Sequence, residues 1–409
     1  MPVLQGHLRP LDGCSMSCHE ALFNEESVRR HCTVPMRAYS EERGEAGTTT
    51  LGGMIGSATL ASFEAITGAP MTAAGTPTPE RIFQIANAFQ SSQALKGALD
   101  LHLFTALGGE SATAASLARQ IGASEKGTRV LCDFLVIAGL LQKEGDHYRS
   151  APDAALFLDE HSPAYFGSVG QFMLNADIVH AYSDIAAVVR KGGTLLEGQG
   201  TVEPNNPIWV DFARNMVPLM MPSATFIAEL VTQDYPADQP MKVLDIAAGH
   251  GMFGISIAAR HPGAEIHALD WPAVLQVASE NAEKAGVATR YTTVAGNAFD
   301  HPFGDGYDVV LLTNFLHHFD RAACTALLRK VHAALNPRGR AVTLEFVPNE
   351  DRVTPPDQAW FSMIMLATTA SGDAYTFAEL EGMAADAGFG RSELHRLAVA
   401  PQSVVVSTK

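Results

Sequence analysis

The chain has 409 residues, 47% of them hydrophobic and only 18% charged, against ~25% charged in an average globular domain. That length predicts roughly two or three domains with ample buried surface, and excludes a wholly disordered chain. A net charge of −16 makes nucleic acid and anionic membranes poor partners, because an acidic surface repels phosphate.

Five cysteines, sparse and odd in number, imply no disulfide framework. The opening MPVLQGHLRPLDG has no apolar core of signal-peptide length, and no uninterrupted apolar run reaches the ~18–20 residues of a membrane span. The expected compartment is a reducing cytoplasm. Residues 1–78 stand apart: Gly, Thr, Ala and Ser dominate 46–78, with too few large apolar side chains to offset backbone ordering. A disordered extension is expected there, with residues 1–70 dispensable. Cys14, Cys18 and Cys32, with His7, His19 and His31 nearby, lack the paired C-x-x-C spacing of a zinc site, and no metal is expected.

From Pro79 the pattern turns helical. Ile82, Ile85, Ala86, Phe89 and Leu95 recur near helical spacing, and a second apolar run, Leu99 to Leu107, stops at Gly108-Gly109. Residues 111–141 then read as helix, a turn at Gly122, and a second helix with Ser124 as N-cap. A short hairpin around Gly145-Asp146 completes a winged-helix outline. A DNA-reading helix needs exposed cations, and here only Lys126 and Arg129 are offered. The unit, placed at 79–180, is therefore read as a packing or dimerisation element. Residues 181–240 read as a helical linker contributing to a substrate pocket. Phe166, Phe172, Met173, Tyr182, Trp209, Phe212, Met216, Met220 and Met221 are scattered in and before it, mostly core, with some as candidate pocket lining. Pro236, Asp238 and Pro240 mark its end.

From Met241 the period changes. Short apolar runs alternate with helical stretches to residue 409, the mark of a parallel, doubly wound α/β sheet, and two closing strands fit an antiparallel pair. The first strand runs into Asp245-Ile246-Ala247-Ala248-Gly249-His250-Gly251, a small-residue turn that lets backbone approach a ligand closely. The G-x-G-x-x-G spacing of a dinucleotide site is absent, and Asp245 suits a cationic amino-acid cofactor better than a pyrophosphate. Asp270 ends the second strand, where a carboxylate can accept from both ribose hydroxyls or cap the helix opening at Pro272. After the third strand, Asn297 can meet an adenine edge or hold a turn, and Phe299 can stack or pack. His317 and His318 follow the fourth strand, and in a helical turn one at most faces the pocket. Either imidazole can serve as a base. Glu345 ends the fifth strand, where it can orient that base.

These residues resemble the class I S-adenosylmethionine-dependent methyltransferase fold. PERIFQIANAFQSSQALKGALDLHLFTAL, the winged-helix outline, FARNM at 212–216, LTNFLHHFD at 312–320 and GRAVTLEFVP at 339–348 further resemble the caffeate and acetylserotonin O-methyltransferase family, over roughly 79–409. The resemblance implies a Rossmann-like seven-stranded sheet at 241–409 behind an N-terminal, mostly α winged-helix dimerisation domain, and a homodimer formed with a second copy of the chain. It implies S-adenosyl-L-methionine bound by Asp245, Gly249, Gly251, Asp270, Asn297 and Phe299. The family's L-H-x-[W/F] pattern falls on Leu316 to Phe319, implying His317 as general base with Glu345 beside it. The implied reaction is O-methylation of a phenolic hydroxyl on a small aromatic or polyketide-like metabolite. The family's plant members carry a second Glu where Ala374 stands here, with Asp373 one residue away, and Ala247-Ala248 replaces the usual Gly pair. The altered 372–376 segment keeps open a cofactor-binding relative with other chemistry, hydroxylation or a pericyclic step. A DNA-reading metabolite sensor is the third alternative. Trp360, Phe361, Met363 and Met365, with Phe172, Met173, Met216 and Met220, are the expected acceptor wall.

Overall fold

The computed structural model describes residues 77–233, 235–236, 239–398 and 400–409. The expected extension, save its last two residues, and the Cys14, Cys18 and Cys32 group lie outside the described residues, as does Asp238.

Helix Glu80–Asp100 opens the described chain, with Ile82, Phe83, Ile85 and Phe89 exposed along its first half and Ala98 and Leu99 buried near its end. The winged-helix outline follows as read. Thr113 caps helix Ala114–Gln120, and Ser124 caps helix Glu125–Ile137 by accepting from the Gly127 N–H. Strands β1 (Ala112–Thr113), β2 (Leu141–Glu144) and β3 (His147–Ser150) form an antiparallel sheet in the order β1-β3-β2. Leu99, Leu103, Phe104, Leu117, Cys132, Leu135 and Tyr148 build its core. Of the cations near the second helix, Arg129 and Lys143 both pair with Asp133, at 2.9 and 2.6 Å.

The second sheet holds seven strands: β4 (Met241–Ile246), β5 (Ala264–Asp270), β6 (Tyr291–Ala295), β7 (Tyr307–Thr313), β8 (Leu335–Glu345), β9 (Arg391–Arg396) and β10 (Ser403–Thr408). Their order is β6-β5-β4-β7-β8-β10-β9, parallel from β6 to β8, with β10 antiparallel to both neighbours. Alternation along each strand feeds two cores. Val243, Val309, Leu311 and Val342 pack on one face against Ile227, Phe253 and Ile257; Leu244, Ile246, Val310 and Leu312 pack on the other against Leu327, Val331 and Leu380. Helix Arg321–Ala334 stops short of Asn336-Pro337. The residue before a proline resists helical backbone, and Leu335 instead pairs with Tyr307 across a bulge. The strand order reverses between β4 and β7, so their carboxyl ends open a crevice.

Candidate active site

The turn after β4 is built by backbone geometry. Ala247, Gly249 and Gly251 stand at φ +53°, +57° and +76°. A Cβ on Gly251 would sit 2.5 Å from the Tyr291 hydroxyl, so that position needs glycine twice over. Asp270 does not cap the helix that opens at Pro272. It reaches back, accepting the Gly249 N–H through Oδ2 at 2.8 Å and the Trp271 N–H through Oδ1 at 2.6 Å. Asp245 is fully buried beneath the turn, where Oδ2 accepts from the Gly254 N–H at 3.2 Å and Oδ1 has no partner among the described residues. Burial pushes the Asp245 carboxyl up to about 7, against the Gly254 bond and helped by the charge of Asp270. Burial likewise pushes Asp270 up to about 6, opposed by its two backbone bonds.

A cavity of about 380 Å³ lies over this turn. Gly249, Asp270, Asn297 and Phe299 line it; Asp245 and Gly251 lie behind its wall. Asn297 spends Oδ1 on the Phe299 N–H at 2.9 Å, so its turn role is real and its amide nitrogen is left for the cavity. Phe299 packs edge-on to Phe319 at 4.7 Å, and Phe319 to Phe315 at 5.0 Å; all three rings line the space.

Beyond β7 the chain makes a short 3₁₀ turn, Leu316–His318, that buries both histidines. His317 Nδ1 bonds Glu345 Oε2, while Glu345 Oε1 accepts the Phe315 and Leu316 N–H groups at 3.2 and 2.8 Å. With Nδ1–H given to the carboxylate, Nε2 keeps the lone pair. Phe361 packs edge-on to this ring at 4.8 Å. His318, not His317, lines the cavity, with its ring 5.0 Å from Trp209. Burial and the neighbouring His317 hold His318 well below the usual imidazole range. Asp373 does not replace the missing acid: its carboxylate pairs with Arg352 at 3.3 Å, and its N–H bonds the His317 carbonyl at 2.9 Å. Ala374 is fully buried.

The expected acceptor wall does not line the cavity. Met216, Met220 and Met365 are buried, Phe172 packs on the core beside Phe212, and Met173, Trp360 and Met363 are exposed. Phe361 faces His317 instead. The aromatic wall is Trp209 and Phe212, three apart on helix Ile208–Asn215, a spacing that marks one helix face. Gln199, Val202 and Pro204 roof the space, a role with no sequence signal. Their loop hangs on main-chain bonds, Thr194 N–H to the Thr369 carbonyl (2.8 Å) and Thr201 N–H to the Thr368 carbonyl (2.9 Å).

The O-methyltransferase domain model matches residues 210–390 and the O-methyltransferase dimerisation domain model residues 83–160. A solved structure from Nostoc punctiforme, described as a candidate O-methyltransferase, is 48% identical, superposes with a TM-score of 0.78, and is covered in full by 82% of this chain. The chain belongs to the O-methyltransferase family. This O-methyltransferase is also 26% identical to the tetracenomycin polyketide synthesis 8-O-methyltransferase of Streptomyces glaucescens, over 76% of this chain and 91% of that one. Human N-acetylserotonin methyltransferase, solved with S-adenosylmethionine, shares the fold at 21% identity and a TM-score of 0.71, with 83% of this chain and 99% of that one covered. The methyl donor of this O-methyltransferase is S-adenosylmethionine. Among its described residues no helix is long and apolar enough to cross a membrane.

Proposed function

We propose that this enzyme methylates a phenolic hydroxyl on a small aromatic or polyketide-like metabolite, with His317 as general base. The observation that carries the reading is the His317–Glu345 pair, buried in the turn after β7 next to the cavity wall. The polyketide relative and the Trp209–Phe212 wall support an aromatic acceptor.

The residues fit the donor. Each Asp270 oxygen accepts one backbone N–H and keeps capacity for a ribose hydroxyl. Asn297 offers its amide N–H groups to an adenine edge, and Phe299 packs the base. Gly249 and Gly251 keep the turn close, and the unpartnered Asp245 oxygen puts negative potential beneath it. When bound, the donor supplies a methyl group activated by a sulfonium. A phenol, with a reference pKa near ~10, is a weak nucleophile at neutral pH and needs a base. His317 Nε2 takes that proton, and Glu345 holds the ring and stabilises its charged form. The exposed apolar side chains Ile82, Phe83, Ile85 and Phe89 of helix Glu80–Asp100 support a homodimer. We place the dimerisation unit at 79–180, a linker with pocket residues at 181–240 and the donor-binding unit at 241–409. The cytoplasmic reading fits Cys132 and Cys324, both free thiols.

Incubation with S-adenosylmethionine and a panel of phenols, read by mass spectrometry, should show the gain of one CH₂ unit. His317→Ala should lower kcat by roughly 10²–10⁴-fold, with donor Kd held within about twofold. Full activity in His317→Ala, or a loss confined to His318→Ala, overturns the assignment.

A further inference from the structure

The loop 296–301 brings Asn297 and Phe299 to the cavity without belonging to a strand. Its internal bonds are local: the Asn297 carbonyl accepts from the Asp300 and His301 N–H groups at 3.1 and 2.8 Å. At its start the Gly296 N–H reaches the Asp270 carbonyl at 3.1 Å. Ala298 and Phe299 pack against the neighbouring core, and beyond that point, among the described residues, the hydrogen bonds that tie the loop to the rest of the protein come from one side chain. Lys330, on helix Arg321–Ala334, donates through Nζ to the carbonyls of Ala298 (2.8 Å), Phe299 (2.6 Å) and His301 (3.1 Å). An ammonium has three protons, so this set uses them all. The same nitrogen lies 4.4 Å from the centre of the Phe303 ring. Lys330 does not line the cavity.

A lysine turned inward gives up hydration that it would keep by pointing to solvent, so the arrangement is costly unless the three carbonyls replace the lost water. Those carbonyls belong to the peptide units that set where the Asn297 amide and the Phe299 ring stand. We propose that Lys330 is a positioning residue for the adenine end of the donor: it fixes the loop main chain, and through it the two side chains that meet the base. The inference rests on the reading that Asn297 and Phe299 take the adenine.

Binding to the full-length protein is measured by calorimetry, with S-adenosylmethionine and with adenosine, which isolates the adenine end. Lys330→Met should raise both Kd values roughly tenfold, since loosening a supporting group misplaces the ones it supports. At saturating donor, kcat and the acceptor KM should stay within about twofold. Lys330→Arg, which keeps several donors, should recover most of the affinity. Asn297→Ala separates the two layers of the argument. If it weakens donor binding while Lys330→Met leaves Kd unchanged, even with a lowered melting temperature, the positioning role is overturned. If both leave Kd unchanged, the adenine reading itself falls. Should Lys330→Met not fold, Lys330→Gln is measured and read in the same way.

Discussion

Ala247 holds a left-handed backbone, φ +53°, at the head of the donor turn. A residue with a Cβ pays ~1–2 kcal/mol there, and glycine gives back ~0.5–1 kcal/mol through its freer unfolded chain. Ala247→Gly should therefore stabilise the protein by about 0.5–1 kcal/mol in denaturant melts. Two carboxyls nearby carry a pH signature. Burial raises Asp245 to about 7 and Asp270 to about 6 from an ordinary 3.8, so the donor-free fold holds protons that the unfolded chain has released. Stability contributed by these groups is thus present at low pH and is lost as pH rises through their folded values. Ribose hydroxyls and a cationic donor favour the ionised forms. Donor Kd, measured by calorimetry, should therefore rise as pH falls through 7 and then 6, by at most about tenfold per unit for each carboxyl. A flat profile would remove both from the donor site. The spacing of Asp245, Gly249, Gly251 and Asp270 was legible in the sequence because one β-α-β unit fixes it locally. What was not legible is that Asp245 supports the turn from behind while Asp270 faces the cavity, since burial depends on chain that arrives later.

Among the elements, the segment 372–376 explains how the imidazole is held with a single acid beside it. Gly372 presses so closely on the 3₁₀ turn that a Cβ would lie 2.3 Å from the His317 carbonyl oxygen, and Arg352 anchors the segment through Asp373 and Glu379. Gly372→Ala should displace the turn and lower kcat by about 10²-fold, with donor binding nearly unchanged; equal loss in both would point to general misfolding. Glu345 was readable as a strand-end carboxylate, but choosing between His317 and His318 needed the resemblance. The structure separates the pair: one ring bonds the acid, the other edges the cavity. The residues expected to wall the acceptor do not line the cavity over the turn, and the sequence alone could not sort them, because methionine and aromatic scatter looks the same in a core as in a pocket. Trp209 and Phe212 reach the cavity only through the docking of helix Ile208–Asn215 on chain distant in sequence.

At the scale of the whole molecule, the α/β alternation and the winged-helix outline were legible because each rests on local periodicity and caps such as Ser124. The exposed apolar residues of helix Glu80–Asp100 have no such local explanation: Ile82, Phe83, Ile85 and Phe89 are each more than 60% exposed. Four such side chains in water call for a partner surface. For the proposed homodimer, Phe83→Glu combined with Phe89→Glu should give a monomer by sedimentation where the unaltered protein gives a dimer, leaving β4 to β8 folded; an unchanged mass would move the interface elsewhere. The cavity roof has a different consequence. It is suspended by the Thr194 and Thr201 N–H groups and by side-chain bonds from Lys191, Thr201 and Trp209, none of them made by the side chains of residues 199, 202 or 204, while Gly193 and Gly200 leave no room for a Cβ, which would lie 2.4 and 2.2 Å from carbonyl oxygens. Residues 199, 202 and 204 can therefore be exchanged without untying the span, which makes this enzyme's ceiling the natural place to retune what it accepts.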